Sequence, residues 1–353
     1  MKKSILGLFR LLKWLVIAAI LVEIFSFLVI TVSNYWIYGQ VKDGDPVRYD
    51  PYALFVAENG PRPTAHNPAG APAKNDKIFW LFGGSTMRGA TDRDDKTIPS
   101  FLAAVLNEAE PRLAAYLINF GEPSFNCLME TKYLQKALIE DSPLPQVIIF
   151  YDGANDCAYF AQMRTPDAHH GYGQLKGMVE SYHHSFFGLL KPLNAALYSS
   201  FTREFYDKIR QGVIPIDPDS PELQQMVAAT EKRYDYVQRV ASAFGARFLL
   251  VWQPCWWVET GRVAKAVKAQ EDIVVGRHLA LRHNFEVTYN ALAARLKDKP
   301  YFVDFRNVLC SRTQPTYQPD GIHLEDAGRE MVARRLGEVL KARLMGAQGS
   351  GGS

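Results

Sequence analysis

A serine, a histidine and an aspartate of this chain stand in positions that suit nucleophilic catalysis. Ser85 directly follows an apolar strand candidate, residues 78–82, and so lies where a strand turns sharply into a helix. His323 comes three residues after Asp320, in the sequence Asp-Gly-Ile-His. A serine hydroxyl is a weak nucleophile until a nearby base takes its proton, and that base needs a partner that orients it. These residue types therefore predict covalent acyl-transfer chemistry.

Five apolar runs rich in β-branched and aromatic residues are predicted as strands, and they alternate with segments of helical periodicity. The strand candidates are 78–82, 115–120, 146–151, 247–253 and 301–305, and the helix candidates are 97–110, 126–140, 221–244, 262–296 and 324–344. Continuous rather than alternating apolar character is typical of parallel strands covered on both faces. The pattern predicts one catalytic α/β domain, a three-layer α/β/α sandwich around a five-stranded, mainly parallel sheet.

The candidate catalytic residues each follow one of these strands. Ser85 follows the first strand, Gly121 the second and Asn155 the third, and Asp320 and His323 come after the fifth. Ligands of open α/β sheets bind beyond the carboxyl ends of the strands, so we expect these residues to meet at one rim. Each motif alone also has a structural explanation, as a tight turn or a helix cap. Their occurrence together, in this order, favours a catalytic site.

The order serine, glycine, asparagine and histidine, each after a strand, resembles the SGNH hydrolase superfamily, often called GDSL esterases and lipases. The resemblance covers the body of the chain from about residue 77 to residue 344, and it implies a flavodoxin-like sheet. It implies that Ser85 is the nucleophile, that His323 is general base and then general acid, and that Asp320 holds the tautomer of the ring. It also implies an oxyanion hole made by the backbone N–H groups of Ser85 and Gly121 and the side-chain amide of Asn155. Each such donor typically stabilises the tetrahedral intermediate by about 3 kcal/mol.

One position departs from the pattern of that superfamily. Its usual Gly-Asp-Ser is Gly83-Gly84-Ser85 in this chain. A glycine before the nucleophile keeps the turn permissive, so we expect the departure to affect local hydrogen bonding rather than catalysis.

Residues 1–40 are predicted to form a cytoplasmic tip and a transmembrane anchor. Basic residues precede an apolar run, 14–32, and none follows it until Lys42. This asymmetry predicts a single-pass helix in the inner (cytoplasmic) membrane, with the N-terminus in the cytoplasm and the catalytic domain in the periplasm or outside the cell. A cleaved signal peptide is the alternative, but the run is long and no small-x-small cleavage site follows it.

Glu23 lies in the middle of this apolar run. An ionisable group there is costly unless it is neutralised or partnered. One interpretation is a protonated glutamate that a strong anchor tolerates. The other is that Glu23 faces a partner membrane protein, such as an integral membrane acyltransferase.

Composition divides the rest of the chain into a stalk, a catalytic domain and a tail. Residues 41–76 are rich in Pro, Gly and Asn, which favour turns and extended chain, and are predicted as a stalk. The catalytic domain, 77–345, carries an insertion at about 157–220, and long connections at this rim commonly shape substrate access. Residues 346–353 form a tail whose Gly-Ser-Gly-Gly-Ser end has the composition of a linker added for expression.

Three further residues near the expected rim are candidates for substrate binding. Arg88, in the first turn after the nucleophile, is placed to bind an anionic group, although exposed helical arginines are common. Trp256 and Trp257 follow the fourth strand, and their rings suit stacking on sugars or lining of an acyl pocket. Ordinary packing is the alternative for both tryptophans.

Composition also limits which cofactors and partners the chain is expected to bind. The net charge of +3 and the lack of a long basic run beyond the N-terminus give no reason to propose nucleic acid. Two His-His pairs, 169–170 and 183–184, lack Cys, Asp or Glu at ligand spacing, so no metal is predicted. A serine mechanism requires no cofactor. The cysteines at 127, 157, 255 and 310 are compatible with disulfides or with buried thiols.

These observations predict a membrane-anchored serine esterase that acts through an acyl-serine intermediate. The expected substrates are O-acyl groups, such as acetyl, of an envelope glycan, or a small ester. An alternative is an O-acyltransferase, or an accessory subunit of a membrane O-acyltransferase system that modifies a cell-surface polysaccharide, because the acyl group can pass to a sugar hydroxyl instead of water. A non-catalytic glycan-binding or assembly protein is the alternative from another class, and the complete set of site residues argues against it.

Overall fold

The computed structural model describes residues 2–38, 46–73, 76–91, 93–109, 114–140, 143–184, 196–197, 200–275 and 279–345. The chain divides into two compact units. We call Met1–Asp43 with Gly171–Ile214 the helical unit, and Gly44–His170 with Pro215–Ser353 the body. The candidate catalytic residues all belong to the body.

The body is built on a five-stranded parallel sheet. The described strands are β1 (Val47–Asp50), β2 (Leu54–Ala57), β3 (Lys77–Gly83), β4 (Ala115–Asn119), β5 (Val147–Asp152), β6 (Arg247–Trp252) and β7 (Phe302–Asp304). The sheet has the order β4-β3-β5-β6-β7, while β1 and β2 form a separate antiparallel pair. All six residues of β5 are buried, as expected for a central strand covered on both faces. The predicted fold class is thereby confirmed, and the five strands lie within one or two residues of their predicted bounds.

Helices connect these strands and cover both faces of the sheet. The described helices are α1 (Lys2–Tyr38), α2 (Ser85–Arg88), α3 (Ile98–Ala109), α4 (Cys127–Glu140), α5 (Ala154–Met163), α6 (Tyr172–His184), α7 (Phe201–Val213), α8 (Pro221–Ala243), α9 (Lys265–Val275), α10 (Leu279–Leu296) and α11 (Asp326–Met345). Two helices, α9 and α10, stand where a single one was predicted. The strand order is that of flavodoxin-like sheets, in which chemistry gathers at the carboxyl ends of the strands.

Aromatic side chains fill the core beneath that rim. Phe82 at the end of β3 stacks on Phe120 with ring centroids 5.0 Å apart, and Tyr133 meets both rings edge-on. On the other side of β5, Trp252 packs against Tyr289 at 4.8 Å. These large buried rings fix the strand ends from which the candidate site projects.

The described part of the segment predicted as a stalk packs on the body instead. The side chain of Asn67 accepts a hydrogen bond from the Leu117 N–H and donates one to the Leu117 carbonyl, so it covers the outer edge of β4. The Ala57 N–H donates to the buried carboxylate of Glu122 at 2.8 Å. The Pro and Gly content correctly indicated turns, but composition gives no information about which distant groups those turns bind.

In the helical unit, α1 contains one stretch, Ile5–Ser33, that is long and apolar enough to cross a membrane. The stretch has 29 residues, and the mean hydropathy of its most apolar 18-residue window is 2.8; a signal sequence near the N-terminus would have the same character. The predicted insertion, 157–220, is largely helical where it is described. Two of its helices, α6 and α7, belong to this unit with α1.

Candidate active site

The nucleophile candidate opens helix α2 directly after strand β3. Gly83 ends the strand, and a β-carbon there would lie 2.6 Å from the β-carbon of Met87, so the turn can be this tight only with glycine. Ser85 is half-buried between the buried residues Gly84 and Thr86. The nucleophile candidate is therefore held by a tight turn and is not fully buried.

Ser85, His323 and Asp320 form a hydrogen-bonded chain. The Ser85 Oγ lies 2.7 Å from His323 Nε2, across 238 residues of sequence. The other ring nitrogen, Nδ1, lies 2.5 Å from Asp320 Oδ2. The nucleophile, the base and the orienting carboxylate thus have the relationship that defines a serine catalytic triad.

Asp320 is fixed by its own turn as well as by the imidazole. Its Oδ1 accepts hydrogen bonds from the N–H groups of Ile322 and His323, both at 2.9 Å. Burial alone would raise the pKa of Asp320, but the charge and hydrogen bond of His323 and the two backbone N–H groups outweigh it and lower that pKa. The carboxylate is therefore ionised and placed to keep the Nδ1 proton on the ring.

Gly321 makes the turn between the acid and the base possible. Its φ of +72° is in the left-handed region, and a β-carbon there would lie 2.7 Å from Val275. Its carbonyl accepts a hydrogen bond from the Trp256 N–H at 2.9 Å. The segment after β6 thus supports the loop that carries Asp320 and His323, which we call the triad loop.

Asn155 stands at the start of α5, after β5. One hydrogen of its side-chain amide is donated to the Phe125 carbonyl at 2.6 Å. A primary amide carries a second hydrogen, and Asn155 is only half-buried, so it can donate to a substrate oxyanion. Gly153 precedes it with φ +135°, and the ring of Tyr289 occupies the space that a side chain there would need. This is the placement that the sequence predicted.

Gly121 does not fulfil its predicted role in this structure. Its single N–H donates to the side-chain oxygen of Asn119 at 2.9 Å, so it is not directed at a substrate. A β-carbon on Gly121 would overlap the backbone nitrogen of Arg88, so the close packing of these two segments requires a glycine at this position. The oxyanion donor that the described contacts support is therefore the side-chain amide of Asn155, and the role of the Ser85 N–H stays a prediction.

The three predicted substrate contacts are buried. Arg88 is 6% exposed, and its guanidinium lies 3.4 Å from the Gly121 carbonyl and 3.9 Å from Glu122. Trp256 and Trp257 are 7% and 3% exposed. The ring of Trp257 packs on Phe285, and Lys268 lies over that of Trp256. Their burial and these contacts assign the three side chains to packing around the site rather than to contact with a substrate.

A buried pair behind the nucleophile was not anticipated. The Thr86 hydroxyl donates to Gln253 Oε1 at 2.8 Å, and the Gln253 carbonyl accepts a hydrogen bond from the Tyr289 hydroxyl at 2.6 Å. This joins the helix of the nucleophile to the end of β6 and to the ring under Gly153. The only sequence signal is a glutamine at the end of an otherwise apolar strand.

A buried ion cluster holds the chain that leads into the triad loop. The guanidinium of Arg312 binds Glu271 at 2.6 Å and Glu259 at 2.8 Å, and the Arg312 side chain is only 1% exposed. Glu271 accepts the N–H of Thr316, and Glu259 accepts the hydroxyl of Tyr317. Because residues 316 and 317 lie just before Asp320, this cluster fixes the approach of the acid and the base to Ser85.

Three buried carboxyl groups lie beneath Asn155. Burial raises the pKa of Asp152 to about 6, although its hydrogen bonds to Glu130 and Tyr234 oppose the shift. Burial and the charge of Asp152 raise the pKa values of Glu130 and Asp156 as well. The Tyr234 hydroxyl donates to Asp152 at 2.8 Å. These groups retain protons at a pH at which an exposed carboxyl would be ionised.

Among the residues that the structure describes, no group of three His, Cys, Asp or Glu side chains is arranged to hold a metal ion. All four cysteines are free thiols, and those at 127, 157 and 255 are buried. Burial raises the pKa of each of these three thiols, so they stay protonated and unreactive.

No protein-family model and no curated protein matches this chain. Solved structures do match. LAE5, an alpha/beta hydrolase enzyme from the metagenome of Lake Arreo, Spain, is 13% identical, with 73% of this chain and 91% of that chain covered and a TM-score of 0.40. The acetyl xylan esterase AlAXEase is 13% identical, with 74% and 99% covered and a TM-score of 0.37. A GDSL-like lipase from Bacteroides thetaiotaomicron VPI-5482 is 12% identical, with 78% and 94% covered and a TM-score of 0.37.

The solved structures to which the chain is similar thus include an acetyl xylan esterase and a GDSL-like lipase. Likeness at these levels of identity concerns the fold. What this chain can do chemically is set by its own triad and by Asn155.

Proposed function

We propose that this protein is a serine esterase of the SGNH type that acts through an acyl-Ser85 intermediate. The observation that carries the proposal is the unbroken chain from Ser85 Oγ through His323 to Asp320, at 2.7 and 2.5 Å. A protein that only binds glycans does not need a nucleophile, a base and an orienting carboxylate in hydrogen-bond contact. The half-buried position of Ser85 leaves the hydroxyl open to a substrate carbonyl.

The geometry supports a two-step reaction. Ser85 Oγ attacks the carbonyl carbon of the ester while its proton moves to His323 Nε2, and Asn155 stabilises the resulting oxyanion. The C–O bond to the alcohol then breaks, and the alcohol leaves with the proton from His323. A water molecule attacks the acyl-serine in the same manner, its proton passing to His323, and Ser85 is regenerated with release of the carboxylic acid.

The proposed location is the outer side of the inner membrane, with α1 as an uncleaved anchor. Basic residues precede the apolar stretch of α1, which favours a cytoplasmic N-terminus. Glu23 also supports retention of α1, because its carboxylate caps α7, and cleavage would remove that cap. A catalytic body so placed would act on O-acyl groups of envelope glycans, which is the substrate class that we propose.

Transfer of the acyl group to a sugar hydroxyl is the alternative use of the same intermediate. Its sequence support was Glu23, interpreted as a contact to an integral membrane acyltransferase. The Glu23 carboxylate binds Phe201 and Thr202 of this chain, so it does not require another protein to explain it. Hydrolysis is therefore the reaction that we propose, and product analysis distinguishes the two.

The test uses the full chain in detergent micelles. The wild type should hydrolyse p-nitrophenyl acetate and be labelled by a fluorophosphonate, and Ser85→Ala and His323→Ala should each abolish both. Ser242→Ala, which changes an exposed serine on α8, should retain both and serves as the matched control. Turnover or labelling that survives in Ser85→Ala would overturn the assignment, and absence of both in the wild type would favour the non-catalytic alternative.

A second measurement addresses the substrate. An acetylated envelope polysaccharide is incubated with the wild type and with Ser85→Ala, and ester content and free acetate are measured by mass spectrometry. Loss of ester with equimolar free acetate supports hydrolysis. Ester that moves to an added unacetylated glycan, without free acetate, would show transfer instead.

A further inference from the structure

Within the helical unit, the carboxylate of Glu23 caps the N-terminus of α7. One carboxylate oxygen accepts the Phe201 N–H at 2.5 Å, and the other accepts the Thr202 N–H at 3.1 Å and the Thr202 hydroxyl at 2.7 Å. The Ser200 hydroxyl accepts the Arg203 N–H at 3.1 Å. The first three N–H groups of α7 are therefore all satisfied, and the negative carboxylate faces the positive end of the helix dipole.

Aromatic contacts extend this docking along α1. Phe27 packs edge-on against Phe201 with centroids 5.0 Å apart, and Phe25 packs against Phe205 at 6.3 Å. Ser26 is 1% exposed at this contact. The two helices thus meet at the level of residues 23–27 of α1.

The sequence of α7 has one apolar face and one polar face. Phe201, Phe205 and Ile209 recur every four residues, which places them on one side of the helix. Phe201, Tyr206 and Ile209 are 40%, 54% and 44% exposed. Only part of the apolar face is therefore covered by α1, and apolar side chains of that helix are exposed as well.

We infer that α7 lies within the lipid bilayer, docked on α1, and that acyl chains cover the rest of its apolar face. The inference rests on the proposed role of α1 as a membrane span. Residues 23–27 fall inside the apolar run 14–32, and nine residues at about 1.5 Å each place Glu23 about 14 Å below the outer end of that run. At that depth no water satisfies the N-terminal N–H groups of α7, so they need an internal acceptor. Glu23 supplies it, which accounts for an acid in the middle of the span.

The insertion therefore contributes a membrane element, in addition to any effect on substrate access. Lipid is the occupant that the surface favours, because the apolar side chains around the contact are exposed on both helices. Phe25 and Leu28 of α1 are 59% and 52% exposed, like those of α7. A second copy of the chain or another membrane protein is distinguished from lipid by the experiment.

The test places a bimane label on single cysteines of the full chain in proteoliposomes. Cys310→Ser removes the one half-exposed native thiol, and the label is attached at Tyr206→Cys, Ile209→Cys or, as a body control, Glu338→Cys. Nitroxides on lipid acyl chains should quench the labels at 206 and 209 several-fold more than the label at 338, and aqueous iodide should show the reverse order. Iodide quenching at 209 equal to that at 338 would overturn the inference. Shielding from both quenchers would also overturn it, in favour of a protein that covers this face.

Two further measurements distinguish the location of α7 in the bilayer from the proposed anchoring by α1. Alkaline carbonate should leave the wild-type chain in the membrane, and extraction would refute the span and this inference together. Glu23→Leu should remain resistant to carbonate but raise iodide access at position 209 at least twofold, because the cap of α7 is lost. Unchanged access in Glu23→Leu would refute the role of Glu23 in docking α7 while leaving the anchor and the esterase in place.

Discussion

A β-carbon on Gly84 would overlap the side-chain amide nitrogen of Asn155 and would lie 3.1 Å from the carbonyl oxygen of Phe125. That amide is already held by the same carbonyl at 2.6 Å, so it cannot move aside without losing a hydrogen bond. The position of Asn155 therefore requires a glycine immediately before the nucleophile. An aspartate, the usual residue of the superfamily, does not fit here unless Asn155 moves.

Replacement of Gly84 should therefore damage oxyanion stabilisation. We expect Gly84→Ala to lower kcat about 10²-fold with a smaller change in KM, close to the effect of losing one oxyanion donor. The measurement is steady-state hydrolysis of p-nitrophenyl acetate. Asn155→Ala should cost a similar factor, and the double variant should be little worse than either single variant, because both act through the same amide. Fully multiplicative losses would show that Gly84 acts in another way.

Asp320→Asn should keep the fold and lose activity. The asparagine oxygen can still accept the N–H groups of Ile322 and His323, but its amide would donate to His323 Nδ1 and hold the proton on Nε2. A ring protonated at Nε2 cannot take the proton of Ser85, and we expect kcat to fall about 10⁴-fold. Fluorophosphonate labelling should slow in parallel, while the circular dichroism spectrum stays that of the wild type. Activity within tenfold of the wild type would contradict this role of Asp320.

Asp152 should make stability depend on pH in the acid range. Its pKa is raised to about 6 in the folded protein from 3.8, so the proton-bound form is favoured by folding. This contribution is fully present below about pH 4 and is lost as the pH rises through 6, by up to about 3 kcal/mol. Asp152→Asn removes the titration while its oxygen can still accept the Tyr234 hydroxyl. In urea unfolding at pH 4 and pH 7.5, the variant should gain stability relative to the wild type at the higher pH, and a constant difference would contradict the assignment.

Arg312 should be worth far more to stability than an exposed arginine. Arg312→Met leaves the carboxylates of Glu259 and Glu271 without their cation, and we expect a loss of about 3–5 kcal/mol in the free energy of unfolding. Arg334→Met, which breaks an exposed pair with Glu330, should cost less than about 1 kcal/mol and is the matched control. Urea unfolding measures both. Replacing Glu259 and Glu271 by glutamine in the Arg312→Met background should recover part of the loss, and a further loss instead would show that the ion cluster is not its cause.

The sequence was sufficient for the sheet and for four members of the site. Buried parallel strands have continuous apolar runs, and Ser85, Asn155, Asp320 and His323 occupy motifs tied to the ends of such strands. Local pattern thus determined their positions, and sheet topology brought them together. The contact between Ser85 and His323 agrees with the expectation that these residues meet at one rim of the sheet.

The site predictions that were wrong, for Gly121 and Arg88, depended on hydrogen bonds and ion pairs made by particular side chains. Asn119 accepts the N–H of Gly121 two residues further on, which is the spacing of an Asx turn, whereas nothing in the local sequence shows that Arg88 turns inward to Glu122. The acceptor role of Glu23 toward Phe201 also joins segments 178 residues apart, while its contact to a partner protein stays a prediction. Pairings between distant segments have no period or spacing in the sequence, so only the folded chain reveals them.

Arg62 determines where a shortened form of this protein can begin. Its guanidinium donates to the carbonyls of Gly89 at 2.7 Å and Thr91 at 2.8 Å, just beyond the helix that carries Ser85, and it pairs with Asp94. A water-soluble version cut at residue 76, where composition places the boundary, would lose this clamp along with the edge cover of β4. Expression from residue 46 would keep this clamp. The difference in activity between the two truncations would therefore measure how much residues 46–76 contribute to holding Ser85 in place.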